Sequence, residues 1–433
     1  MTTTRAPDSA HPPIPPHRRY VSLVAAFVAM FVISPFEYAW SSISGHIGRV
    51  YGWSHPEIAL LFTLFIIFQS VGMLPGGMLR DRFGPRWTTA VSGVFAGIGI
   101  FALSLGPSYP LVATLWSLGS FFTGFIYNNA VTTGNKWFHD RRGVMTGLIA
   151  GAFSWGSLPF IFPIRAIARA APSIVFFHVI YVMAAIVGGV SVIVAFFMQD
   201  PPRGWSPKKA ALDRPSAHDY SVGEALKTWQ MWVLMASFIL ISSAGLAGIS
   251  KMVGYSDSFK FTATAATAAA GGIALANGFG KLALGSLSDR FGPENMMVCS
   301  YIASGLLLFV TVFAGFVHSD LLFVAAAIAA IFFWASLFSL FPITIGHYYG
   351  HASAGGNYGV LYAIAKGTGG LYGGILSTLL IVRYGFPTAI GLAGVMAVAA
   401  GLIIVPLRFR PPVRAGAPAT TTGAAAGNRS RVW

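Results

Sequence analysis

Long apolar stretches, interrupted by short charged or Gly-Pro punctuation, run through the chain from residue 21 to residue 407. Many are about 20 residues long, the length a helix needs to cross a bilayer core. Breaking them at the punctuation predicts twelve spans, at approximately 21–43, 57–79, 87–106, 109–132, 143–164, 174–198, 230–250, 263–287, 296–316, 321–345, 356–381 and 385–407. None shows the recurring polar face of a helix that lies on a soluble core. One long polar segment, 199–228, divides the spans six and six. It carries Pro201, Pro202, Arg203, Pro207, Lys208, Lys209 and Arg214, a linker composition. The pattern predicts an all-α membrane protein of twelve transmembrane helices in two six-helix bundles. The division runs 1–19 (a disordered tail), 20–198 (first bundle), 199–228 (linker), 229–407 (second bundle) and 408–433 (a disordered Pro/Ala/Thr/Gly tail).

Composition agrees with this reading. Of 433 residues, 55% are apolar and only 9% charged, against about 25% in a soluble domain; that is too little charge to cover a water-facing surface. Fifty glycines suit helices that associate by close backbone approach. The lone Cys299 excludes an internal disulfide. A net charge of +15 would point to nucleic acid in a soluble chain, but here it follows topology. With both ends inside, the inner segments hold Arg18, Arg19, Arg80, Arg82, Arg86, Lys136, Arg141, Arg142, the linker cluster, Arg290 and the tail arginines. The outer loops hold only Arg49, Arg165, Arg169, Lys251, Lys260 and Arg383. This is the positive-inside bias, and it places both termini in the cytoplasm of a multi-pass inner-membrane protein. Basic pairs such as Arg141-Arg142 are explained by topology and anionic lipid contact, without nucleic acid. No small-residue cleavage site follows the first apolar run, which reads as a retained helix.

An internal repeat supports the split. Gly77-Met78-Leu79-Arg80-Asp81-Arg82-Phe83-Gly84-Pro85 recurs as Gly285-Ser286-Leu287-Ser288-Asp289-Arg290-Phe291-Gly292-Pro293, each copy after the second span of its half. At these residues the chain resembles the major facilitator superfamily, whose signature between helices 2 and 3 is G-x-L-x-D-R-x-G. The resemblance covers about 20–410 and implies the major facilitator fold, with two pseudo-symmetric halves. Gly77, Asp81, Arg82, Gly84 and Arg86, with Asp289 and Arg290 in the second copy, form the conformational motif. The glycines allow a tight turn and close approach, and Asp and Arg pair and interact with helix ends. Tyr38-Ala39-Trp40-Ser41 and Lys136-Trp137-Phe138-His139-Asp140-Arg141-Arg142-Gly143 resemble the oxalate/formate antiporter family, which neighbours the monocarboxylate transporters and commonly has Pro in place of His139. That resemblance implies two cationic residues facing the central cavity. They match Lys281 in span 8, where the family often carries Arg, and Lys366 in span 11. A lysine at 281 supplies a point charge in place of a planar bidentate donor.

Intramembrane charge is costly and is a functional signal by default. Lys366 lies about ten residues into its span, roughly 15 Å deep at 1.5 Å per residue. Lys281 lies about six residues before the end of its own, where a lysine can also snorkel to the interface. Together they suit charge-assisted binding of a carboxylate. Glu37, the one clear acid within a span, either neutralises a lysine or carries a coupling proton; a solvated place near the outer mouth is the alternative. Two lysines alone suit a dianion, and two lysines with a glutamate suit a monoanion; charge counting leaves both open. Tyr38, Gln69, Tyr127, Asn128, Trp155, Trp334 and Tyr362 complete a candidate substrate-binding pocket, on the helices that the resemblance places around the cavity.

These features predict secondary active transport of a small organic anion, a mono- or dicarboxylate, by alternating access and exchange. A counter-anion or a proton is the coupling partner, and proton-coupled symport is the alternative mechanism. A transporter-like sensor would need an output domain that the linker and tails do not supply. An intramembrane enzyme would need a catalytic constellation that the spans do not show. Paired lysines argue against cationic drugs. Sugar sites usually carry more Asn, Gln and Glu. No cofactor is implied: the Gly-rich runs at 271–272, 278–280 and 367–374 lack a phosphate-loop ending, and His347 with His351 reads as a solvated loop pair without a third ligand. The resemblance implies a working monomer.

Overall fold

The computed structural model describes residues 16–106, 108–138, 142–170, 173–202, 220–350 and 354–409. The 1–15 and 410–433 stretches of the tails, and 203–219 of the linker, lie outside it, as do His139 and His351. Among the described residues there is no strand. The chain runs α1 (Pro16–Val32), α2 (Trp40–Tyr51), α3 (His55–Ala102), α4 (Tyr109–Trp137), α5 (Arg142–Trp155), α6 (Leu158–Ala170), α7 (Ser173–Ala185) and α8 (Ser191–Ala195). It continues with the short α9 (Val222–Ala225), then α10 (Trp229–Ser258), α11 (Ala263–Phe291), α12 (Pro293–Phe316), α13 (Asp320–Trp334), α14 (Leu337–Tyr349), α15 (Ala354–Leu371), α16 (Ser377–Tyr384) and α17 (Phe386–Leu402).

Nine segments among the described residues are long and apolar enough to cross a membrane. The longest, α3, has 48 residues in two helical stretches that meet at Gly84, together about 72 Å of helix, and makes two crossings of a core about 30 Å thick. The α11 helix and the α15–α16 pair bring the crossings to twelve; they are the glycine-rich elements that carry Lys281 and Lys366. Large apolar side chains such as Trp87, Trp232, Phe313 and Val382 lie exposed along the helices, a surface made for lipid.

The second and third spans are not separated by a loop. Only Gly84, at φ 80° and ψ 163°, leaves the helical region. Its counterpart Gly292 has φ 82° and ψ 144°. Both precede a proline, which disfavours α geometry in the preceding residue. The positive φ is the reason for glycine. The repeated sequence therefore builds the same one-residue corner twice.

The charges of the two copies diverge. Arg80 is 1% exposed and donates to Asp200, beyond the end of the sixth crossing, and to Thr133 Oγ1 of α4. Lys136 Nζ donates to the other Asp200 oxygen at 2.9 Å. The matching position of the second copy is Ser288, whose hydroxyl bonds to the Gly285 carbonyl. Asp81 stays open to solvent, 3.6 Å from Arg80 and 3.8 Å from Lys136; Arg82 lies over the Phe83 ring. The motif's aspartate thus faces Arg80 and Lys136. The Asp289 side chain is outside the described residues. Asp200→Asn should lower stability by on the order of 2 kcal/mol, because it weakens charged hydrogen bonds to a buried guanidinium. Asp81→Asn should stay within about 0.5 kcal/mol. Thermal unfolding in detergent distinguishes the two, and equal shifts would remove Asp200 from its anchoring role.

Three crossings are broken near mid-span: the first at 33–39, where Pro35 opens a short 3₁₀ turn (Ser34–Phe36), the fifth between α5 and α6, and the tenth between α13 and α14. Close approach accompanies the second break, since a Cβ on Gly156 would enter the Phe31 backbone. Two further crossings contain π turns, at 186–190 and 372–376. Irregular backbone at this depth is tolerated where it is buried in protein; Glu37 lies within the first break, and Ser154 and Phe338 stand beside the other two.

Candidate functional site

The first break carries Glu37 and Tyr38 inward on the turn that follows the 3₁₀ segment; the two are 0% and 3% exposed. Opposite them, α15 presents Lys366, 1% exposed. Its Nζ donates to Glu37 Oε2 and to Gln69 Oε1, each at 2.9 Å. Gln69, from α3, donates through Nε2 to Thr123 Oγ1 of α4 at 3.3 Å. Glu37 Oε1 is buried with no hydrogen-bond partner among the described residues.

Lys281 is equally buried and does not snorkel. Its Nζ donates to the Ala150 carbonyl at 2.8 Å and to Ser154 Oγ at 2.9 Å, both on α5. Ser154 donates to Asn277 Oδ1 at 2.9 Å, and Asn277 Nδ2 donates to Tyr38 Oη at 3.1 Å. Asn277 precedes Lys281 by one helical turn, so both lie on one face of α11. The result is a bonded chain from Lys281 through Ser154 and Asn277 to Tyr38.

Aromatic rings close the space between the lysines. The Phe338 centroid lies 4.7 Å from Lys281 Nζ and 5.5 Å from Lys366 Nζ. Tyr362 and Phe153 lie 5.4 Å and 5.7 Å from Lys366 Nζ. Tyr127 packs on Tyr362 with centroids 5.8 Å apart and edge-on against Phe153. Ring faces carry negative charge density and hold cations, so the rings both exclude water and give the two side-chain cations a favourable wall.

Of the pocket residues named from sequence, Tyr38, Gln69, Tyr127 and Tyr362 converge on the lysines, as does Glu37. Three lie elsewhere. Trp334 donates to the Ile241 carbonyl and stands behind Phe338, edge to its ring. Trp155 bonds to the Leu275 carbonyl and packs against Phe279, away from its neighbour Ser154. Asn128 bonds to the Met73 carbonyl on the α3–α4 seam. Sequence reasoning passed over Ser154, Asn277, Phe153 and Phe338. The i, i+4 spacing of Asn277 and Lys281 was a usable signal; the two phenylalanines had none. Gly77 sits on the same α3–α4 seam, where an added Cβ would lie 3.3 Å from Asn128 Nδ2. Arg86 is half-buried beyond the first corner, and Arg290 lies over the Phe291 ring. No group of three metal-ligating side chains occurs among the described residues, and His347 is exposed.

Twelve crossings folded around one enclosed, charged, aromatic-walled centre, with a repeated helical corner in each half, define a membrane transporter. The sequence profile of the Major Facilitator Superfamily matches residues 22–250 and 234–432, and the chain belongs to that superfamily. It is 28% identical over 399 residues to the oxalate:formate antiporter of Oxalobacter formigenes, spanning 91% of this chain and 93% of that protein. It is 24% identical over 353 residues to the uncharacterized MFS-type transporter YhjX of Escherichia coli strain K12, spanning 79% and 84%. It is 25% identical over 282 residues to the probable nitrate/nitrite transporter NarK2 of Mycobacterium tuberculosis, spanning 63% and 68%.

Proposed function

We propose that the protein is a secondary active transporter that exchanges small organic anions, mono- or dicarboxylates, by alternating access. The observation that carries the reading is the pair of buried lysines facing a single carboxylate. A closed centre with two ammoniums and one carboxylate holds one uncompensated positive charge, which is expensive in a low-dielectric interior. An incoming carboxylate cancels it through charge-assisted hydrogen bonds. A carrier whose closed state is better with an anion than without one tends to return loaded, which is exchange. The similarity to an oxalate:formate antiporter and to a probable nitrate/nitrite transporter supports an anionic cargo.

In this reading the substrate contacts are Lys281, Lys366, Tyr38, Tyr127, Gln69 and Tyr362. Both ammoniums come from the second half. Their acceptors, Glu37, Gln69, Ala150 and Ser154, come from the first. A substrate carboxylate held by those ammoniums and by Tyr38 and Tyr127 of the first half adds contacts to cargo that only the closed centre makes. That supplies the differential interaction that alternating access requires. The corner motif at 77–86, with Asp289 and Arg290, serves the rocking of the halves. The boundaries 20–198 and 229–407, the linker 199–228, the monomeric state, the inner-membrane location and the cytoplasmic termini belong to the same proposal, the last two from the basic bias of the inner segments.

The second reading is proton-coupled symport. It rests on the buried Glu37 Oε1, which has no hydrogen-bond partner among the described residues and is a place for a proton. Uptake of labelled formate, oxalate, lactate and malonate into proteoliposomes separates the two. Exchange predicts at least tenfold stimulation by internal unlabelled anion and little response to an inward proton gradient. The reverse pattern would establish symport, and no uptake under either condition would overturn the carboxylate assignment.

A further inference from the structure

We infer that Glu37 sets the charge of the cargo: by engaging Lys366 it leaves the centre room for one negative charge, so the transporter selects monocarboxylates over dicarboxylates. The inference rests on the anion-transport reading above and deepens it.

The argument begins with donors. An ammonium has three N–H groups. Lys366 directs two at Glu37 Oε2 and Gln69 Oε1; Lys281 directs two at the Ala150 carbonyl and Ser154 Oγ. Each lysine therefore keeps one spare donor, and both ammoniums stand against the same Phe338 ring. One carboxylate has two oxygens and accepts a hydrogen bond from the spare donor of each lysine without displacing an existing bond. A second carboxylate on the same small molecule meets no further cation among the described residues of the centre. It meets Glu37, whose Oε1 is buried and without a hydrogen-bond partner among the described residues. Like charges at that range repel strongly where water is excluded. The walls suit the same cargo, since Phe153, Phe338 and Tyr362 offer apolar surface to a short uncharged tail. With a monoanion bound, two ammoniums and two carboxylates sum to zero, the form that closes at least cost. A dianion leaves the closed centre at minus one.

Neutralising Glu37 reverses the count. In Glu37→Gln the centre holds two positive charges, and Lys366 gains a freer donor for a second carboxylate. The test uses the purified full-length protein in proteoliposomes at pH 7. Formate and lactate compete against oxalate and malonate for exchange of a labelled monocarboxylate, and thermal stabilisation by the same anions is measured in detergent. Wild type should prefer the monoanions at least tenfold. Glu37→Gln should move the dianion-to-monoanion ratio by tenfold or more toward dianions, and Glu37→Asp should keep the wild-type order. A wild type that prefers dianions overturns the inference without any variant. So does a Glu37→Gln protein that retains anion binding with an unchanged ratio. Should that variant lose transport, the stabilisation ratio decides; should it not fold, the wild-type order decides. A wild type that neither moves nor binds either class overturns the anion reading itself, and this inference with it.

Discussion

Lys366→Met is expected to abolish transport, by a hundredfold or more, while the protein still inserts and purifies. A hundredfold loss corresponds to about 2.7 kcal/mol, within reach of a lost charge-assisted contact in a dry site. The substitution does a second thing that must be separated from the first. It leaves Glu37, 0% exposed, without its ammonium. Stranding one member of a buried pair costs about 3–5 kcal/mol, unless the carboxyl takes up a proton. The single variant should therefore melt lower than wild type. The double variant Lys366→Met/Glu37→Gln removes the stranded charge and should recover most of that loss, yet remain inactive. Uptake in proteoliposomes and melting in detergent measure the two effects on the same preparations. Normal transport by either variant would take Lys366 out of the mechanism. A double variant that melts as low as the single one would mean that the Lys366–Glu37 contact is not what held the closed form together.

How much of this centre the chain disclosed on its own depends on the distance over which each feature is decided. Crossing segments are decided locally, by runs of apolar residues, and the fourth was placed at 109–132 against Tyr109–Trp137. Gly84 and Gly292 are also local: a glycine before a proline in each copy of the repeat marked a tight turn, though not that a single residue would make it. The Lys366–Glu37 pair joins positions 329 residues apart, and no spacing rule reaches that far. Charge inside a span marked both residues as costly without showing that each was the other's partner. Lys281 read as shallow because depth was counted along its own helix; its burial comes from α5, which covers it with Ala150 and Ser154. Aromatic residues were the least legible. With 14% of the chain aromatic, type alone could not show that Trp155 turns toward Phe279 while its neighbour Ser154 turns toward Lys281. Phe338 carried no polar tag, yet both charges stand against its ring. Arg80 was masked by its own motif, in which it fills a variable position.

Gly374→Leu is expected to jam the cycle, again by about a hundredfold in transport rate, without touching the charged centre. The first and second halves meet along a seam between α3 and the eleventh crossing. On the face where α3 begins, Thr63 is the pivot of that seam. Its hydroxyl donates to the Gly370 carbonyl at 3.2 Å and accepts the Ile375 amide at 2.9 Å. The π turn at 372–376 shifts the hydrogen-bond register that an α-helix would keep there. A Cβ on Gly374 would enter the Thr63 hydroxyl and come within 2.8 Å of the Ala59 carbonyl. The hydroxyl can rotate, but the carbonyl belongs to helix backbone and cannot yield without separating the helices. A leucine in that space adds the strain of overpacking, about 1–3 kcal/mol, to the closed form alone, because the open form has no seam to strain. Stability of the isolated halves should be little affected, and the balance should move toward the form open on that face. A cysteine introduced at Thr63, with the exposed Cys299 replaced by serine, reports this directly. Its labelling by a membrane-impermeant maleimide should rise severalfold when Gly374→Leu is added. Gly359→Ala on the same seam is the control: its Cβ would meet Leu74 at 3.5 Å, an ordinary contact, and transport should stay within about twofold. Unchanged labelling and unchanged transport in Gly374→Leu would mean that this seam does not open during the cycle, and the halves would have to part elsewhere.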